Sequence, residues 1–121
     1  MAQGSVTLHV LDGYHGRPGA GIDVELDRLL DDGTWGHVKA LTTDAKGRTE
    51  EPLLPAGEYE TGRYQIRLDV GGYFGRLGAP TTQPPYLTEL VLRLNFADPD
   101  GQYHVPITVS PWGYTHFRGS H

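Results

Sequence analysis

The chain has 121 residues, 37% of them hydrophobic and 21% charged, with a formal net charge of −5. This fits one globular domain spanning 1–121, and an acidic balance with no basic cluster excludes a nucleic-acid partner. There is no cysteine, which removes disulfides, thiolate metal sites and cysteine nucleophiles. No apolar run nears the roughly 18 residues of a membrane span, so no membrane partner is expected. The opening residues Met1-Ala2-Gln3-Gly4-Ser5 carry no basic stretch followed by an apolar one, and a cytoplasmic setting is expected.

The chain carries 17 Gly and 9 Pro between short apolar runs, the punctuation of an all-β domain. Val6, Leu8 and Val10 alternate with Ser5, Thr7 and His9, which predicts a strand with one buried face. Ile22, Val24 and Leu26 alternate with Asp23, Glu25 and Asp27 in the same way, and Asp31-Asp32-Gly33 follows as a hairpin turn. A weaker strand covers 36–43, ending at the turn Asp44-Ala45-Lys46-Gly47. The clearest strand has Tyr64, Ile66, Leu68 and Val70 on one face. A short helix is expected over 72–77, stopped by Gly78-Ala79-Pro80. Two further strands carry Leu90, Leu92, Leu94 and Phe96, then Tyr103, Val105, Ile107 and Val109. Pro106 inside the last run implies an edge position or a bulge. Six or more short strands separated by turns predict a β-sandwich.

His9 and His104 each fall on the polar face of their strand, so both should stand on an outer sheet face. Pattern alone leaves two readings open, solvated surface histidines or a site that moves protons near neutral pH. An Arg beside them would hold an anionic or carbonyl-rich substrate, and Arg48 and Arg118 are the candidates. Ser5 and Ser110 have no nucleophile-elbow setting. His15, His37 and His116 have no compact ligand spacing with the other two, so no metal is assigned. Trp35 and Trp112 read as packing or interface residues. The chain ends in aromatics, an Arg and two His, costly groups to leave in water, which predicts a terminus held in a cleft or a subunit contact.

The residues resemble a known family over nearly the whole chain. The pieces are Leu8-His9-Val10-Leu11-Asp12, Gly16-Arg17-Pro18-Gly19-Ala20, Thr43-Asp44-Ala45-Lys46-Gly47-Arg48, Gly62-Arg63-Tyr64 and Tyr73-Phe74. Tyr103-His104-Val105-Pro106 and Ser110-Pro111-Trp112-Gly113-Tyr114-Thr115-His116-Phe117-Arg118-Gly119-Ser120 complete the set. In this order and spacing they resemble the transthyretin-related 5-hydroxyisourate hydrolases. The resemblance implies an all-β, transthyretin-like (prealbumin-like) Greek-key sandwich of two four-stranded sheets with one short helix. It also implies a homotetramer with active sites where subunits meet, a small-molecule substrate and no cofactor. His9, Arg48 and His104 are its implied catalytic residues, and Thr115, His116, Phe117, Arg118 and Ser120 its implied substrate contacts.

One departure bears on function. The family ends Tyr-Ser-Thr-Tyr-Arg-Gly-Ser, so Phe117 stands where a Tyr hydroxyl is usual and His116 is new beside it. Three readings follow. They are hydrolysis of 5-hydroxyisourate, a diverged paralogue acting on another small cyclic amide or heterocycle, and a non-catalytic small-molecule binder. Thyroid-hormone carriers of this fold lack the terminal Arg-Gly-Ser and the two His, which this chain keeps; that disfavours the carrier role.

Overall fold

The structure, a computed structural model, describes residues 4–119. Its elements are β1 (Ser5–Asp12), β2 (Arg17–Pro18), β3 (Asp23–Leu29), β4 (Trp35–Thr42), β5 (Gly62–Leu68), α1 (Val70–Arg76), β6 (Leu90–Phe96), β7 (Gln102–Val109) and β8 (Tyr114–His116). They form two four-stranded sheets, ordered β2-β1-β7-β8 and β4-β3-β5-β6. The alternation expected in β1, β3, β5, β6 and β7 sends Leu8, Val10, Val105, Ile107 and Val109 from one sheet against Leu26, Tyr64, Ile66, Leu68 and Phe96 of the other. Each such side chain, fully buried, contributes about 1.5–3 kcal/mol.

Three local features depart from expectation. The helix begins two residues early, because the Asp69 carboxylate accepts the Gly72 N–H at 3.0 Å and caps its start. Val70, Tyr73 and Phe74 then follow helical spacing into the core. Strands β2 and β8 have only two and three residues, too short to display a period. Pro106 is neither in an edge strand nor at a bulge, since β7 lies between β1 and β8. The β8 ladder ends at the pair Ile107–His116, and the Pro106 carbonyl faces that side. The missing N–H therefore falls just past the end of the ladder, where no partner strand requires it.

Asp12, buried at the end of β1, ties the following loop to the helix. Its carboxylate accepts the N–H groups of Tyr14 and His15, the His15 ring at 2.6 Å and the Tyr73 hydroxyl at 2.7 Å. Burial alone would raise this carboxyl, but the hydrogen bonds from Tyr73 and His15 outweigh it and hold it below its ordinary value. The same burial, with Asp12 beside it, pushes Tyr73 up to about 12.

Candidate active site

Strands β1 and β7 run parallel in the register Thr7–His104 and His9–Pro106. Opposed residues share a face, so Thr7, His9, His104 and Pro106 all stand on the outer side of their sheet. His9 and His104 are one strand apart and offset by two residues. A strand spacing of about 4.8 Å and a rise of about 3.3 Å per residue place their Cα atoms about 8 Å apart.

Each ring is anchored through one nitrogen. His9 Nε2 lies 3.1 Å from the Lys46 carbonyl oxygen. A carbonyl only accepts, so Nε2 donates and the neutral ring keeps its lone pair on Nδ1. His104 Nδ1 lies 2.8 Å from Thr7 Oγ1. Gly119 closes against the His104 ring: its N–H donates to the His104 carbonyl at 2.9 Å, and a Cβ on Gly119 would stand 2.8 Å from the ring Cδ2. Gly119, the last described residue, is thus tied to β7 through its backbone.

Arg48 reaches this face through the turn before it. The Asp44 carboxylate accepts the N–H groups of Lys46 and Arg48, bonds that hold its carboxyl below the ordinary value. Gly47 adopts φ +77°, and any Cβ there would overlap the Val10 carbonyl oxygen. Only glycine lets the loop approach β1 so closely. The Gly47 carbonyl accepts the Val10 N–H at 2.7 Å, and the next residue, Arg48, forms an antiparallel bridge with His9. Arg48 is exposed, and its guanidinium makes no ion pair or side-chain hydrogen bond with the described residues. The backbone of a cationic residue is thus held next to His9 on the face that also carries His104.

The C-terminal candidates divide between the two sides of β8. Thr115 pairs with Thr108 and shares the outer side. Phe117, two residues on, falls on that side by alternation and is 65% exposed. His116 pairs with the buried Ile107 and so faces the other way, with Nδ1 3.3 Å from the Pro106 carbonyl. Arg118 stacks over the Tyr103 ring at 4.5 Å. Together His116 and Arg118 line a cavity of about 240 Å³ at the open edge of the sandwich, with Leu94, Phe96 and Val105. His116 therefore does not stand where a hydroxyl at Phe117 would. Ser120 lies outside the described residues.

Thr7 and the Lys46 carbonyl escaped the sequence reading. Alternation puts Thr7 on the His9 face, but only the parallel register brings it to His104. Among the described residues no three or more His, Asp or Glu gather in a way that could hold a metal ion, and no helix is long and apolar enough to cross a membrane.

Comparison with known proteins bears on these arrangements. Residues 6–119 match the model of the HIUase/Transthyretin family. The chain belongs to that family. A 5-hydroxyisourate hydrolase of Pseudomonas aeruginosa is 39% identical over 118 residues, 97% of this chain and 92% of the relative. The crystal structure of an (S)-allantoin synthase superposes with a TM-score of 0.91 at 39% identity; it covers 98% of this chain, which spans only 44% of that protein. The Klebsiella pneumoniae 5-hydroxyisourate hydrolase superposes with a TM-score of 0.79 at 26% identity, covering 98% of this chain and all of its own. The transthyretin-like sandwich expected from the sequence is the fold observed.

Proposed function

We propose that this chain is a hydrolase that opens the six-membered ring of 5-hydroxyisourate in urate breakdown. The observation that carries the reading is the single outer face that presents His9, His104 and Arg48, in a chain 39% identical to a hydrolase of that name. One imidazole takes a proton from water as the water oxygen bonds to the ring carbonyl carbon. The amide C–N bond then breaks, and the departing nitrogen takes a proton back from the imidazolium. Arg48 holds the substrate oxygens as negative charge develops on them. No cofactor enters these steps.

The active form in this reading is a homotetramer, with the outer faces of the β2-β1-β7-β8 sheets enclosing the site. Phe117, 65% exposed on this face, supports an interface there. Thr115 and Phe117 contact substrate from this face, and Arg118 and Ser120 belong to the same terminal motif.

Phe117 favours one second reading, a pocket of the same build retuned to another small cyclic amide. It offers a ring without the hydroxyl, and His116 faces away from it. Turnover of fresh 5-hydroxyisourate by wild type, Arg48→Ala and Phe117→Tyr separates the two. The hydrolase reading expects fast wild-type turnover lost in Arg48→Ala. Slow wild-type turnover that Phe117→Tyr raises supports the retuned pocket.

A further inference from the structure

Thr7 and His104 occupy directly opposed positions of the parallel β1–β7 pair, and Thr7 Oγ1 lies 2.8 Å from His104 Nδ1. A hydroxyl can accept a hydrogen from Nδ1 or donate one to it, and the two cases leave opposite chemistry on Nε2. If the hydroxyl donates, neutral Nε2 carries a hydrogen and cannot take another. If it accepts, Nε2 holds the lone pair.

We propose that Thr7 is the positioning residue for His104: its oxygen accepts the Nδ1–H and so presents Nε2 as the proton acceptor on the outer face. The geometry restricts the alternatives. The His104 ring is held at Nδ1 by Thr7, and Gly119 lies close enough to Cδ2 that a single added methyl would press on it at 2.8 Å. A ring flip exchanges Nδ1 with Cδ2, which would break the Thr7 contact and turn the nitrogen toward Gly119. Thr7 is half-buried, so its own hydroxyl hydrogen can still reach water. His9 offers the contrast: its anchor is the Lys46 carbonyl, which can only accept and which no side-chain replacement removes. The two histidines thus present different nitrogens, Nδ1 on His9 and Nε2 on His104, and the described anchor of His104 is a hydroxyl that a side-chain replacement removes. The consequence for rate rests on the hydrolase reading above; the hydrogen bond does not.

The test uses Thr7→Val and Thr7→Ser in the full chain. Valine keeps the β-branched shape that suits a strand and removes only the hydroxyl. Nitrogen-15 spectra of labelled histidine, assigned with His104→Gln, report which His104 nitrogen carries the hydrogen. Turnover of 5-hydroxyisourate across pH reports the consequence. The expectation is an Nδ1–H tautomer in wild type, a shift toward Nε2–H in Thr7→Val and recovery in Thr7→Ser. With it, kcat falls about tenfold in Thr7→Val, KM stays within about twofold, and the pH profile of kcat/KM moves. An Nε2–H tautomer in an active wild type, or a Thr7→Val protein with unchanged tautomer and pH profile, overturns the inference alone. An Nδ1–H tautomer that Thr7→Val abolishes, in a folded protein without turnover, overturns the hydrolase reading and leaves the Thr7–His104 bond standing.

Discussion

His9 and Arg48 face each other across an antiparallel bridge although 39 positions separate them in the chain. The contact exists because Gly47, in a left-handed conformation, lays its carbonyl on the Val10 N–H. A turn glycine thereby sets the backbone of Arg48 opposite His9.

Gly47→Ala should break that arrangement. A left-handed alanine costs about 1–2 kcal/mol, and its methyl would also overlap the Val10 carbonyl oxygen. Thermal unfolding should show at least that loss, and kcat/KM should fall with it because Arg48 is displaced. A variant with wild-type melting and turnover would contradict this role for the turn.

Arg48 itself should matter for turnover and hardly for folding. It is exposed, and among the described residues its guanidinium makes only a long-range electrostatic contact with Asp44, so Arg48→Ala should change stability by no more than about 0.5 kcal/mol. Loss of a charge-stabilising donor should lower kcat by about 10²–10³-fold. Arg48→Lys should not restore the rate, since an ammonium lacks the planar fork that grips two oxygens. Steady-state kinetics beside chemical denaturation separates the two effects.

The Asp12–Tyr73 pair should shape stability at both ends of the pH scale. Asp12 is held below its ordinary value in the folded chain. Its contribution is therefore present above the unfolded carboxyl value, near 3.8, and disappears as pH falls through the folded value. Tyr73 is raised to about 12, so its contribution is complete below about 10 and fades as pH rises toward 12. Tyr73→Phe leaves Asp12 without the Tyr73 hydroxyl and should cost about 1–3 kcal/mol at neutral pH. The deficit should shrink at both extremes in unfolding curves taken across pH. A deficit independent of pH would contradict it.

Phe117→Tyr restores a hydroxyl on a side chain that is 65% exposed. Folding should be unaffected, and if the pocket is retuned to another cyclic amide, kcat/KM on 5-hydroxyisourate should rise by up to about tenfold. No rise would show that the hydroxyl is dispensable on this face.

Much of the fold could be read from alternation, because Leu8, Ile66 and Ile107 each sit in strands long enough to show a two-residue period. The same rule placed His9 and His104 on an outer face. It did not join them, since pairing of the first and seventh strands is a long-range choice that no local pattern encodes. Thr7 was hidden for that reason: its importance lies in its register with His104. The division of Thr115 from His116 was hidden differently. Strand β8 has three residues, and its facing is set by pairing with Ile107 and Thr108, not by its own sequence.

The most direct test is the ultraviolet decay of freshly generated 5-hydroxyisourate, corrected for spontaneous hydrolysis, with wild type and with His104→Ala. The account predicts acceleration by the wild type and a loss of about 10²–10⁴-fold in the variant, with the folded assembly retained. No acceleration by a correctly folded wild type, or equal acceleration by His104→Ala, would contradict it.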